Sequence, residues 1–267
     1  MADMARANTE WNAVSYHQVS APQTHWGQRV LARLPLEGHE RAVDAGCGSG
    51  RLTAALAERL PRGHVVALDR SWNMLHEARS HLRPVFGRRV SFVQAALPAV
   101  PMAGWADVVF STATFHWIPD HDALFAQLGT ALRSGGRLHA QCGGGPNLRE
   151  AHALAERVMA RVPFAEYFKG WPGPWNFASP EHTAARLTAA GFVDVATDLE
   201  AAPTTFASEA DYRAFVTTVI YHPHLDRLPD ALRAPFIDEV TALAANQASP
   251  FTLDYWRLNL TATRPGR

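Results

Sequence analysis

Short apolar runs alternate with amphipathic stretches along much of this chain, starting at about Arg41. A run of four to seven apolar residues predicts a buried strand, whereas apolar residues recurring every three or four positions predict a helix. Five segments read as strands: 41–45 (RAVDA), 64–69 (HVVALD), 89–94 (RVSFVQ), 106–112 (ADVVFST) and 137–142 (RLHAQC). Between them, segments 51–60, 71–82 and 122–132 have helical spacing, with Ser71 placed as an N-cap and the SGG at 134–136 as a helix stop.

The two ends of the chain add elements to this alternating pattern. Up to about Leu34 the sequence is helical or irregular, and Pro22 marks a helix start. After a stretch rich in Trp, Pro and Gly at 167–180, the pattern predicts a helix that Gly191 ends, then a strand at 192–199. Two helical segments at 208–220 and 229–245 precede a last strand within 253–263.

Strands that alternate with helices of about ten residues predict a parallel sheet covered by helices on both faces. The fold class is therefore α/β, doubly wound and Rossmann-like, with helical cap insertions. No linker separates two domains, so we expect one domain over 1–267. Its parts are an N-terminal helical lid (1–40), a cofactor-binding half (41–145), a substrate half with the cap (146–250) and a last strand (251–267).

Composition and charge limit the partners of the protein. The chain has 267 residues, is 47% hydrophobic and carries 25 basic and 25 acidic residues, so it can bury a large core but has no net charge to attract a polyanion. We expect no nucleic-acid partner. No apolar stretch reaches the roughly 20 residues of a membrane span, and no signal peptide is evident. The two cysteines do not form the pattern of a disulfide framework, which fits a reducing compartment. The sequence therefore predicts a cytoplasmic protein without a membrane partner.

The segment VDAGCGSG (43–50) carries the first chemical signal. It follows the first strand, where ligands bind in sheets of this kind, and its glycines at 46, 48 and 50 allow a close approach to the backbone. A dinucleotide fingerprint would need a third glycine where Arg51 stands, and no P-loop lysine follows. Asp44, beside the turn, disfavours a pyrophosphate and favours a ligand with an ammonium group.

Asp69 ends the second strand, 23 residues after Gly46, where a carboxylate can accept hydrogen bonds from both ribose hydroxyls. A ligand that combines an amino-acid head with a ribose is S-adenosylmethionine. A nicotinamide-dependent oxidoreductase is a rival interpretation, which Arg51 and Asp44 disfavour. A further alternative is a protein that keeps this fold and binds the cofactor but does not methylate, or uses it for other chemistry.

Together with MLHEA (74–78), FVQAALPAVP (92–101) and ADVVFSTATFHWIPDHDALFAQLGTALRSGGRLHAQ (106–141), these motifs resemble class I S-adenosylmethionine-dependent methyltransferases. The resemblance covers about Arg41 to Cys142. With FHWIPD (115–120) and the C-terminal LDYWRLNL (253–260), it is most similar to the trans-aconitate and juvenile-hormone-acid type, which methylate carboxylates of small molecules. It implies a seven-stranded sheet whose last strand, within 254–263, is antiparallel.

The resemblance also implies roles for individual residues. Asp44 would hold the methionine ammonium, either directly or through water, Gly46 and Gly48 would pass beneath the methionine part, and Asp69 would bind the ribose. The remaining cofactor positions implied are Ala45, Arg70, Ser71, Met74, Ala96, Leu97 and Thr112. Ala96 departs from the family, which usually has an acid there for the adenine amino group, so we expect altered adenine recognition.

His116 follows the fourth strand and is the main catalytic candidate, as a base, as a hydrogen-bond partner of the acceptor, or as a structural histidine. Tyr16 and His17 are further candidate bases for a hydroxyl acceptor, whereas a carboxylate acceptor is ionised at neutral pH and needs none. The acceptor wall is predicted from aromatic residues. The residues predicted to form it are Trp117, Trp171, Trp175 and Phe215. No metal site is expected, since His222 and His224 have no third ligand at suitable spacing.

Overall fold

A seven-stranded sheet forms the centre of the computed structural model, which describes residues 21–266. Its strand order is β3-β2-β1-β4-β5-β9-β6, and a separate two-stranded sheet pairs β7 with β8. The strands are β1 (Arg41–Ala45), β2 (His64–Asp69), β3 (Val90–Gln94), β4 (Ala106–Thr112), β5 (Leu132–Gly143), β6 (Val193–Ala201), β7 (Thr204–Thr205), β8 (Thr252–Leu253) and β9 (Trp256–Thr263). β9 is antiparallel to both of its neighbours, and the other neighbouring strands run parallel, as the resemblance implied.

Helices cover both faces of this sheet. They are α1 (Ala21–Arg33), α2 (Arg51–Arg59), α3 (Trp72–Phe86), α4 (His121–Ala131), α5 (Arg149–Met159), α6 (Pro180–Ala189), α7 (Glu209–Phe215), α8 (His222–Leu225) and α9 (Asp230–Ala245). A π-helical turn at Val216–Ile220 joins α7 to the residues before α8. The Ser71 hydroxyl accepts from the Met74 N–H and begins α3, as its sequence position predicted.

Three buried clusters explain why these elements pack as they do. Two of them lie on the sheet, and the apolar runs of β1, β2 and β4 contribute side chains to both, which is what a sheet covered on two faces requires. The third cluster is built mainly from the cap helices α5, α7 and α9 with the preceding loops. The cap therefore has its own apolar interior. It lies beside the carboxyl ends of the parallel strands.

Two segments differ from the sequence expectations. The SGG at 134–136 does not stop a helix, because α4 ends at Ala131 and these residues belong to β5. The Gly135 N–H donates to the Arg264 carbonyl and the Arg264 N–H donates to the Gly136 carbonyl, so the backbone is paired with the C-terminal segment. Helix α5 was not predicted at all. Within residues 21–266, no helix has both the length and the apolarity that a bilayer crossing demands.

Candidate functional site

A cavity of about 700 Å³ opens at the carboxyl ends of β1, β2 and β4. The strand order reverses between β1 and β4, so this is the place where a doubly wound sheet leaves a crevice for a ligand. The cavity has two ends. One is lined by the loops after β1, β2 and β3, and the other by the cap, with the turn Phe115–Trp117 between them.

The three glycines of the turn after β1 serve two different purposes. All have positive φ, at +82°, +53° and +82° for Gly46, Gly48 and Gly50. A Cβ at Gly46 would lie 2.2 Å from the Thr114 Oγ1, and one at Gly50 would lie 2.8 Å from the Ala78 Cβ. At Gly48 no atom of the described residues lies within 4 Å, and this residue lines the cavity. Gly46 and Gly50 thus let the turn pack, whereas Gly48 leaves space for a ligand.

The predicted ribose acid, Asp69, lines the cavity beside this turn. Its Oδ2 accepts from the Gly48 N–H at 2.9 Å and its Oδ1 accepts from the Ser71 N–H at 2.9 Å. Burial raises the pKa of Asp69, while the hydrogen bonds from Ser71, Gly48 and Arg70 oppose that rise. The carboxylate is therefore fixed in orientation by backbone donors, with lone pairs remaining for ligand hydroxyls.

Asp44 takes a different position from the one that direct contact with a ligand would require. It is buried, it is not among the residues that line the cavity, and its Oδ2 accepts from the Thr53 Oγ1 at 2.6 Å. Burial raises the pKa of Asp44 to about 7, the Thr53 hydroxyl opposes this, and the charge of Asp69 adds to it. Asp44 can act on a ligand through its charge beneath the turn.

Some of the other predicted cofactor residues line the cavity, as Asp69 does, and others do not, as is the case for Asp44. Five line the cavity: Arg70, Met74, Ala96, Leu97 and Thr112. Ala45 and Ser71 do not line it, because Ala45 is buried within β1 and Ser71 caps α3. Ala96, which stands where the resemblance implies an acid, lines the cavity together with Ala95, so this wall offers backbone groups and apolar contact to a flat ring.

His116 lies in the turn after β4 and is held in one tautomer. Its Nδ1 accepts from the Gly143 N–H at 3.2 Å, so the proton of the neutral ring resides on Nε2. Burial holds the pKa of His116 well below its usual range, and the charges of Arg257 and His121 lower it further. A neutral ring with its lone pair already engaged is a hydrogen-bond donor at Nε2, which argues against its role as a general base.

Aromatic rings line the cap end of the cavity. Phe177 lies between the rings of His116 and Trp175, with centroids at 5.8 and 6.4 Å and interplanar angles of 28° and 12°. Trp117 and Trp171 each approach Trp175 at 6.0 Å and are tilted against it. Trp117, Trp171 and Trp175 therefore line the cavity, as predicted for an acceptor wall.

Phe215 does not belong to this wall, so the prediction that it contacts the substrate is wrong. It is 1% exposed and packs against Phe206 inside the cap cluster, with ring centroids 4.9 Å apart. It lies on the inner face of α7 and fills part of the apolar interior of the cap. Tyr16 and His17 lie outside the described residues. No group of His, Cys, Asp or Glu able to hold a metal ion occurs in residues 21–266.

Sequence reasoning missed Arg257, the one buried arginine among the described residues that line the cavity. It is paired in register with Gly143, whose N–H holds His116, so β9 carries the guanidinium to the middle of the site. Its Nε donates to the Gln141 Oε1 at 3.4 Å, and its guanidinium lies 4.8 Å from the Trp26 ring centroid. The sequence signal was a charged residue at a buried position of a predicted strand.

His152 was also missed, because α5 was not predicted. It lines the cavity, its ring centroid lies 4.4 Å from that of Trp175, and its Nε2 is buried without a hydrogen-bond partner in the part of the chain that the structure describes. Burial lowers the pKa of His152 to about 4. It is therefore a neutral ring at neutral pH and contributes aromatic surface to the wall.

Comparisons with known proteins agree on one family. The family described as Methyltransferase domain matches residues 42–136. A trans-aconitate 2-methyltransferase of Variovorax paradoxus is 32% identical over 259 residues, which cover 93% of this chain and 94% of the relative. One of Methylobacterium nodulans is also 32% identical, over 96% of this chain and 98% of the relative. Among solved structures, phosphoethanolamine N-methyltransferase 2 of Haemonchus contortus, in complex with phosphomonomethylethanolamine and S-adenosylhomocysteine, superposes with a TM-score of 0.61. It is 18% identical, and the match covers 95% of this chain and 57% of that one.

Proposed function

The chain belongs to the class I S-adenosylmethionine-dependent methyltransferases, and we propose that it transfers the methyl group to a carboxylate oxygen of a small organic acid, which leaves as a methyl ester. S-adenosylmethionine supplies an electrophilic methyl group on a sulfonium leaving group. The protein has to hold that group and the acceptor in line and keep water away, and proximity of this kind can contribute several kcal/mol.

The residues at the sheet end of the cavity fit this cofactor. The space above Gly48 suits the methionine part, and the oriented carboxylate of Asp69 suits the ribose hydroxyls. Asp44 would supply negative charge beneath the amino group without touching it. Met74, Ala96 and Leu97 would enclose the adenine ring through apolar contact.

The tautomer of His116 is the observation that supports a carboxylate acceptor most directly. Its Nδ1 is engaged by the Gly143 N–H, so the ring can donate from Nε2 but has no free lone pair to take a proton from a hydroxyl. A carboxylate arrives ionised at neutral pH, needs no base and accepts such a donor. We therefore assign His116 the role of orienting the acceptor oxygen.

The relatives support the same chemistry. Both are named trans-aconitate 2-methyltransferases, and trans-aconitate is a carboxylic acid. An acid anchored beside His116 would also face Arg257, whose positive charge contributes to the depressed pKa of that histidine.

The proposal is tested by the product. Purified protein is incubated with S-adenosylmethionine labelled on the methyl group and a panel of carboxylic acids, phenols and amines, trans-aconitate among the acids. Mass spectrometry identifies any acceptor that gains a labelled methyl. Mild alkali releases methanol from an ester but leaves methyl ethers and methylamines intact. Labelled product that survives alkali would refute carboxylate transfer, as would methylation of phenols alone.

Two broader expectations belong to the same proposal. A small-molecule acceptor, and no nucleic acid, fits a chain with equal numbers of acidic and basic residues. Cys47 and Cys142 are both buried free thiols, which is consistent with the cytoplasmic location proposed from the sequence.

A further inference from the structure

We propose that the cap end of the cavity selects a flat, conjugated acid with a single carboxylate, anchored by Arg257 and stacked on the wall formed by His116, Phe177 and Trp175. This rests on the proposed function, since it names the class of acid that the same site accepts. It also separates this chain from the substrate after which its relatives are named, because trans-aconitate carries three carboxylates.

The charges at the cap end support one carboxylate. The charged side chains that line this end, among the residues the structure describes, are Asp226, Arg227 and Arg257, which leave one net positive charge. Arg227 is exposed at the rim, where its Nε donates to the Tyr167 carbonyl at 2.8 Å and its guanidinium lies over the Trp171 ring. Asp226 would repel a second carboxylate placed near that rim.

Arg257 is suited to hold the carboxylate because its position is fixed. The Gln141 amide that receives its Nε–H donates in turn to the Asn259 Oδ1 at 2.7 Å, and Asn259 donates to the Asp198 Oδ1 at 2.9 Å. Gln141 is neutral, so this contact orients the guanidinium without adding an opposite charge to it, and Asn259 in turn holds Gln141 in place. A preorganised guanidinium binds a carboxylate with directed, charge-assisted hydrogen bonds.

The shape of the wall favours a flat body. The rings of His116, Phe177 and Trp175 follow one another with small interplanar angles, and all three line the cavity. Pro174, Val219, Ile220 and Pro223 add apolar lining at the same end. A conjugated ligand can stack on such a surface at little conformational cost, whereas a saturated chain must be ordered first.

Binding to the protein loaded with S-adenosylhomocysteine tests this inference separately from methyl transfer. Calorimetry would compare four compounds: trans-cinnamate, 3-phenylpropanoate, cinnamyl alcohol and trans-aconitate. Compared with trans-cinnamate, 3-phenylpropanoate has a saturated chain, cinnamyl alcohol has no negative charge, and trans-aconitate has three carboxylates. We expect trans-cinnamate to bind at least about tenfold more tightly than cinnamyl alcohol and trans-aconitate, since a charged hydrogen-bonded contact contributes on that order. We expect 3-phenylpropanoate to bind about threefold less tightly than trans-cinnamate.

Substitutions of single arginines test which side chain holds the carboxylate. Arg257→Gln should reduce trans-cinnamate affinity about tenfold and leave cinnamyl alcohol unaffected. Arg149→Gln, on α5 outside the cavity lining, is the matched control and should bind as the wild type does. Arg227→Gln tests the rival arginine at the rim, and should change affinity less than Arg257→Gln. Because Arg257 is buried, S-adenosylhomocysteine affinity checks that the variant is folded. If it is not, Trp175→Leu tests the stacking wall instead, and it should weaken the binding of trans-cinnamate, which Arg149→Gln leaves unchanged.

Several results would overturn the inference. These are equal or tighter binding of trans-aconitate, loss of affinity in Arg227→Gln but not in Arg257→Gln, and no binding of trans-cinnamate at millimolar concentration. The proposed function fails differently, namely when acids bind to the loaded protein but no alkali-labile methyl product forms with S-adenosylmethionine.

Discussion

Replacing Gly48 by alanine separates ligand space from folding at the turn after β1. A methyl group there would have no atom of residues 21–266 within 4 Å, in a residue whose φ is +53°. Gly50→Ala is the matched control, since its φ is +82° but its Cβ would lie 2.8 Å from both the Ala78 Cβ and the Leu82 Cδ1. The two variants share a left-handed backbone and differ in what the new methyl group meets.

The magnitudes follow from that difference. A non-glycine residue in the left-handed region costs roughly 1–2 kcal/mol, partly offset by the lower entropy of the unfolded chain. We therefore expect Gly48→Ala to lose about 1 kcal/mol of unfolding free energy, a fall in Tm of about 2–4 °C. Gly50→Ala adds overpacking of about 1–3 kcal/mol against α3 and should be clearly less stable.

The affinity for the cofactor should be reduced in Gly48→Ala, the more stable variant, and nearly unchanged in Gly50→Ala, the less stable one. The methyl group of Gly48→Ala occupies the space assigned to the methionine part, so S-adenosylhomocysteine should bind at least about tenfold more weakly. Gly50→Ala, at a temperature where it is folded, should bind with nearly wild-type affinity. Urea unfolding and calorimetric titration measure the two quantities. Wild-type affinity in Gly48→Ala would refute the assignment of this turn as the floor of the cofactor site.

Three further predictions concern Asp69, Asp44 and His116. Asp69→Asn should weaken S-adenosylhomocysteine binding about tenfold in calorimetry, while Asp198→Asn on β6 should not, since only the former removes the carboxylate beside Gly48. Because burial raises the pKa of Asp44 from 3.8 to about 7, the folded apo protein binds a proton more tightly than the unfolded chain. Its unfolding free energy should therefore fall as pH rises from about 4 to about 7, and urea titrations of Asp44→Asn should show a smaller fall over that window; an identical fall would contradict it. His116→Asn keeps an acceptor for the Gly143 N–H but loses the Nε2 donor, so ester formation should drop about tenfold with a pH profile unchanged between 6 and 8. A pH dependence that the wild type shows and this variant loses would instead indicate that His116 is a base.

The sheet was predictable because its signals are local. The runs in β1, β2 and β4 are apolar on both faces, which only a covered parallel strand needs, and Ser71 and Gly191 stand at helix ends where capping demands them. Likewise, the acid at the end of β2 and the glycines after β1 follow strand ends. Their meeting in one crevice is a consequence of parallel strand direction.

The cap was less predictable for a physical reason. Its aromatic residues divide between the cavity wall and an apolar interior, and residue type does not distinguish the two. Trp175 and Phe215 are both large aromatic residues in the second half of the chain, yet Trp175 lines the cavity and Phe215 is enclosed by α7 and its neighbours. That division depends on which face of each element the packing turns inward.

The chain by itself determined the doubly wound sheet, the glycine turn and the strand-end carboxylate, because each arises from residues close together in sequence. Only the tertiary structure decided that Arg257 reaches the site, since antiparallel pairing of β9 with β5 brings it opposite Gly143, 114 residues earlier in the chain. The same pairing, through the Gly143 N–H, fixes the proton of His116 on Nε2. Whether a histidine donates or accepts depends on the neighbour its other nitrogen meets, and that neighbour is supplied by long-range packing.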